Sequence, residues 1–144
     1  MKTKTRVLLF SLSLVGASTL FFSMKPAGSS EAGGGGNGPW VAPKEADATE
    51  NPFKDNATLW LEGKKIYHEL CSQCHGDKGR GDGIGAASMS TPPADHTSAK
   101  VQSQTDGAIF WKISNGRPPM AKFSESLSIK QRWALVAFIR TLKK

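Results

Sequence analysis

The 144-residue chain holds two cysteines, three positions apart, with a histidine directly after the second: Cys71-Ser72-Gln73-Cys74-His75. Two thiols cannot build the multi-bridge framework of a small secreted scaffold, nor the four-cysteine cage of a zinc ribbon or iron–sulfur cluster. Cysteine therefore serves another chemistry here. The length suits one modest domain with appendages and excludes a large two-domain enzyme.

C-x-x-C-H is the pattern of covalent haem attachment. At the end of a helix, cysteines three apart sit one turn from each other, close to the spacing of the two vinyl groups of a haem, so thioether bonds can form at both. The adjacent histidine falls under the ring centre, where a neutral imidazole nitrogen binds iron axially. A redox C-x-x-C of the thioredoxin kind expects a βαβ context, whereas this chain offers helices and glycine-rich loops. A zinc site from Cys71, Cys74, His75 and His96 would require the neighbours Cys74 and His75 to reach one tetrahedral ion, an awkward geometry.

Apolar spacing around the motif is helical. Leu59, Gly63, Ile66, Tyr67, Leu70 and Cys74 lie along one helix face running into the motif, with Asn56 or Thr58 as its cap. Gly63 costs that helix roughly 1 kcal/mol relative to Ala, which points to a close-packed partner. Ser128 and Gln131 form a capping box before the apolar run Trp133 to Ile139, and Arg140, Lys143 and Lys144 suit the negative end of that helix. Between the two, Thr105 or Asp106 caps a helix through Ile109, Phe110 and Ile113, stopped by Asn115-Gly116. No strand pattern of any length is present. Residues 56–144 hold 23 large apolar side chains besides Ala and Cys, a thin core that a porphyrin would complete, so the apo form is expected to fold poorly.

Lys2, Lys4 and Arg6 precede an uncharged stretch from Val7 to Met24, the charged and hydrophobic regions read by export machinery. The stretch exceeds a usual signal core yet falls short of the roughly 20 residues of a spanning helix, so residues 1–25 are a signal peptide or an uncleaved membrane anchor. The lack of an Ala-x-Ala after Phe22 favours the anchor. Residues 26–55 read as a flexible Gly/Pro-rich linker and strap: positions 26–39 carry six glycines and two prolines, a coil spanning on the order of 20 Å, and positions 40–55 bring Trp40 and the Asn51-Pro52-Phe53 turn. Net charge is +7, divided as +4, −3 and +6 over residues 1–25, 26–55 and 56–144. The bases are dispersed and not interleaved with aromatics, which argues against nucleic acid.

Residues 58–142 resemble the class I cytochrome c family, in its bacterial branch of exported or membrane-tethered monohaem domains. The string Gly63-x-x-x-Tyr67-x-x-x-Cys71 is similar to the family's N-terminal helix, and Leu135-Val136-Ala137-Phe138-Ile139-Arg140 to its C-terminal one. The resemblance implies an all-α cytochrome c fold for residues 56–144. Three to four helices and Gly/Pro-rich loops would wrap one covalent haem c with its iron. Gly63 and Tyr67 would then meet Leu135 and Phe138 where the helices cross. It also implies a methionine as sixth ligand. Asn115-Gly116-Arg117-Pro118-Pro119-Met120 is similar to the family's ligand loop, with Ala121 where a proline is usual, and Met89 takes a packing role. The implied site is thus Cys71, Cys74, His75 and Met120, with His75 and Met120 on the metal. The second His75 nitrogen would bond a carbonyl of Pro92 or Pro93, by analogy, while His68 and His96 are expected at the surface.

With both thiols consumed and both axial positions filled, iron has no open site for substrate, which leaves exchange of one electron. The resemblance implies an electron-transfer protein, not an enzyme, serving donor and acceptor proteins in the periplasm or elsewhere outside the cytoplasmic membrane. Residues 7–24 would provide any tether. Neither nucleic acid nor a small-molecule substrate is expected. A haem enzyme or sensor with a labile sixth ligand, and a fixed subunit of a membrane respiratory complex, are the alternatives. Lys78, Arg80, Lys112, Arg117 and Lys122 are the candidate docking charges.

Overall fold

The computed structural model describes residues 38–144, so the signal or anchor segment and the linker as far as residue 37 lie outside it. Its helices are α1 (Lys44–Asp47), α2 (Leu59–Leu70), α3 (Ser72–His75), α4 (Ala99–Gln102), α5 (Asp106–Asn115) and α6 (Ile129–Thr141), with a 3-10 turn at Ala86–Ser88. Among the described residues there is no strand, only an isolated bridge between Arg117 and Met120. No described helix is long and apolar enough to cross a membrane.

The expected crossing is present. A Cβ built on Gly63 would stand 1.9 Å from the Ala134 carbonyl oxygen and 3.0 Å from the Leu135 nitrogen, so the backbones of α2 and α6 touch. One turn on, the rings of Tyr67 and Phe138 pack at 4.9 Å between centroids. Tyr67, Trp133, Leu135 and Val136 are the largest fully buried side chains. Each contributes roughly 1.5–3 kcal/mol by leaving water, so the crossing is the centre of the core.

The caps follow the chemistry of their residues. Ser128 accepts from the Gln131 amide while the Gln131 side chain accepts from the Ser128 amide, a complete capping box on α6. Thr105, not Asp106, caps α5, accepting from the Ala108 amide at 3.0 Å. At α2 neither candidate caps directly: Thr58 is the N-cap position but its side chain accepts from no helix amide, and the Asn56 carboxamide oxygen instead accepts from the Thr58 amide at 3.1 Å and hydroxyl at 3.0 Å. Arg140 does more than face a helix end. It reaches Asp106 at 2.7 Å and the Gln102 carbonyl at 2.9 Å, tying the last turn of α6 to α4 and α5. Leu70, expected on the buried face, is exposed, because α2 ends there and Cys71 redirects the chain.

Residues 40–55 pack on α5. Gly107 admits them: a Cβ there would be 2.0 Å from the Ala46 carbonyl oxygen, and Ala46 is buried. Thr105 donates to Asp47 at 2.7 Å on the same side.

Candidate functional site

Cys71 closes α2 and opens α3, a single turn in which the amides of Cys74 and His75 both donate to the Cys71 carbonyl, at 3.1 and 2.9 Å. That turn places the cysteines one above the other, and both are free thiols. Burial, aided by the neighbouring Cys74, pushes the Cys71 thiol up to about 12, so it stays protonated at neutral pH.

The glycine-rich loop then folds back over this turn. The amides of Gly81, Gly83 and Gly85 donate to the carbonyls of His75, Cys74 and Gln73, at 2.8, 3.1 and 2.8 Å. Only glycine allows the approach at position 83, where a Cβ would sit 2.3 Å from the Gln73 carbonyl oxygen.

His75 Nδ1 lies 2.9 Å from the carbonyl oxygen of Ala94. The acceptor is thus one or two residues beyond the expected Pro92 or Pro93, because the loop approaches His75 after the prolines have turned it. A carbonyl only accepts, so Nδ1 carries the proton, and the neutral ring keeps its lone pair on Nε2. Burial holds the His75 pKa below its ordinary value, which preserves that neutral form.

His96 is not the surface residue its polar neighbours imply. Its ring stacks on His75 with centroids 4.1 Å apart and planes 19° apart, and its Nδ1 lies 3.2 Å from the Tyr67 hydroxyl. Tyr67 has one hydroxyl proton, donated to the Gly76 carbonyl at 3.2 Å, so His96 Nδ1–H must be the donor to the Tyr67 oxygen. The aromatic pair of the helix crossing therefore also props the imidazole beside His75. No local pattern marks this residue; its partners come from positions 67 and 75. His68 is exposed as expected, with Nδ1 3.2 Å from Asp77.

Desolvation, with His75 adding to it, pushes the pKa of His96 down to about 3. The unfolded chain accepts a proton there near 6.5 and the folded chain does not, so stability present above pH 6.5 is lost as pH falls toward the folded value. Denaturant titrations between pH 6.5 and 5 are expected to show a loss of up to about 1.4 kcal/mol per pH unit from this ring. His96→Leu should flatten the slope; an unchanged slope would remove His96 as its source.

Met120 is half-buried and packs against the hydrophobic core, which Met89 does not. Gly116, at φ +62°, turns the chain out of α5, and Arg117 and Met120 exchange two backbone hydrogen bonds of 3.2 and 2.8 Å across the cis Pro118-Pro119 bond. The loop returns along α5 through the Phe123 amide to the Ile113 carbonyl and the Ser124 amide to the Ser114 carbonyl.

Among the described residues no three His, Cys, Asp or Glu side chains are gathered as a metal cage, so Cys71, Cys74, His75 and His96 do not form the zinc site weighed above. A family model described as Cytochrome c matches residues 61–143. The chain belongs to the cytochrome c family. It carries covalently bound haem c with its iron. The residues present fit that group: two unpaired thiols one turn apart, and a neutral imidazole whose second nitrogen is already engaged.

Solved structures agree with this cytochrome fold. A chain of the reducing HAO-like protein complex Kustc0457/Kustc0458 of Kuenenia stuttgartiensis superposes with a TM-score of 0.60 at 30% identity, over 65% of this chain and 48% of that one. This cytochrome thus spans about half the length of that relative. The KustC0563 c-type cytochrome matches with a TM-score of 0.50 at 31% identity, over 57% of this chain and 98% of that one. Cytochrome cL from Hyphomicrobium denitrificans matches at 0.51 and 26%, over 72% and 64%. No curated protein matches the sequence.

Proposed function

We propose that this cytochrome passes single electrons between redox proteins outside the cytoplasmic membrane, acting as a carrier and not as an enzyme. Its haem would be bonded through Cys71 and Cys74 and ligated axially by His75 and Met120. The observation that carries this reading is the His75 ring, fixed through Nδ1 on Ala94 with its Nε2 lone pair left for iron. When bound, the haem supplies reversible one-electron chemistry at iron, and methionine ligation raises its potential relative to a bis-histidine haem. The chain's own share is to hold two ligands rigidly and exclude water. Export is supported by the charged and apolar pattern of residues 1–25, and tethering by the lack of an Ala-x-Ala cleavage context after Phe22.

Docking to acidic partner surfaces rests on fewer bases than the sequence offers. Lys112 and Arg117 lie over the Trp40 ring, and Lys122 pairs with Glu125 at 2.7 Å. Lys78 and Arg80 remain exposed, lining a surface groove of about 530 Å³ together with Lys64 and Lys144. Association through this face would weaken with salt.

The ligand assignment is tested by the sulfur-to-iron charge-transfer absorption of the ferric protein. It is expected in the parent and lost in Met120→Leu. Its absence from the parent, or survival in the variant, would overturn the role of Met120. A fixed place in a larger redox assembly is a second reading, favoured by the neighbour that belongs to a protein complex. Co-migration of a partner after mild detergent extraction would support it over a free shuttle.

A further inference from the structure

The strap before α2 reaches the loop that carries Met120, and Arg117 joins them. The Arg117 guanidinium lies over the Trp40 indole, 5.2 Å from its centroid, and donates to the Gly38 carbonyl at 2.9 Å. Lys112 Nζ lies over the same ring at 5.6 Å. The Arg117 backbone, meanwhile, exchanges both of its hydrogen bonds with Met120. Arg117 thus grips the strap with its side chain and the methionine with its main chain.

Trp40 Nε1 is buried and has no hydrogen-bond partner among the described residues. Leaving such a donor unsatisfied costs about 1–3 kcal/mol, so the indole is held there by its ring face, through packing and the two cations. The strap also lies outside residues 61–143, the part shared with the family. It is seated on the loop that bears Met120.

We propose that Trp40 is a positioning residue: its contact with Arg117 holds the Met120 loop closed and slows loss of the methionine from iron. This rests on the reading of Met120 as the sixth ligand. A second attachment, Thr105 to Asp47, fixes the strap to α5 away from that loop and serves as the control.

The test uses the full-chain ferric holoprotein, following disappearance of the charge-transfer absorption when imidazole is added. Trp40→Leu and Arg117→Gln should each speed displacement about tenfold, the worth of a cation–π contact with its hydrogen bond. Trp40→Phe keeps a ring beneath the guanidinium and should restore most of the parent rate. Asp47→Ala should leave the rate nearly unchanged. A parent rate in both Trp40→Leu and Arg117→Gln, or an equal acceleration in Asp47→Ala, overturns the proposal. A parent without the absorption instead overturns the ligand assignment beneath it, so the two failures are told apart.

Discussion

Gly63→Val is expected to abolish the folded holoprotein, and Gly63→Ala to destabilise it by at least about 3 kcal/mol, the upper part of the range for overpacking a core. Alanine would by itself favour the helix by about 1 kcal/mol. The clash outweighs that gain, because the new Cβ meets the Ala134 carbonyl oxygen at 1.9 Å and the Ala134 carbonyl carbon at 2.4 Å. Both are backbone atoms, so no side chain can rotate away and α2 and α6 must separate. Separation loosens the Tyr67 to Phe138 contact and, through the Tyr67 hydroxyl, the support of His96 beside His75. Against a total stability of about 5–15 kcal/mol, valine's further methyl groups exhaust what remains. Gly38→Ala is the matched control, with nothing within 4 Å of its Cβ. Denaturant midpoints of the three variants decide the matter. A Gly63→Ala midpoint equal to the parent's would show that the crossing yields.

Why these features were or were not legible in the sequence follows from the range of the interactions involved. Gly63, the Ser128 and Gln131 box, Thr105 and the Asn115-Gly116 stop act within a turn or on a periodic face, and each is readable from spacing. The motif itself is five consecutive residues. The polar neighbours of His96, Asp95, Thr97 and Ser98, imply a surface position, whereas its environment is set by Tyr67 and His75, far away in the chain. The acceptor for His75 shifted to Ala94 for a related reason: a loop's register against a ring depends on the whole loop. The glycines at 81, 83 and 85 look like ordinary loop residues until their amides are seen to answer three successive carbonyls of the motif. Two of the candidate docking charges, Lys112 and Arg117, also lie over Trp40, a contact between positions too distant in sequence to be read from spacing.

In the double variant Cys71→Ala with Cys74→Ala, the pigment is expected to be lost to solvent when the protein is denatured and extracted, and most of the population to be unfolded at neutral pH. Burying a ring of porphyrin size contributes on the order of 10 kcal/mol at about 25 cal/mol per Å². That is comparable to the whole stability of a domain, about 5–15 kcal/mol. A core centred on one helix crossing cannot replace it, and its remaining contacts are stacked rings such as Phe110 on Trp133 and the buried Arg132 guanidinium over Phe110. Either single variant should keep the pigment through denaturation by its remaining thioether, with intermediate stability. Circular dichroism of the helices and the colour of the extracted chain are separate readouts, so loss of fold and loss of attachment can be scored independently. Because neither cysteine is in a disulfide, neither has another covalent cross-link through which its replacement could act. A double variant that keeps its colour after extraction would mean that these two sulfurs are not where the haem is joined.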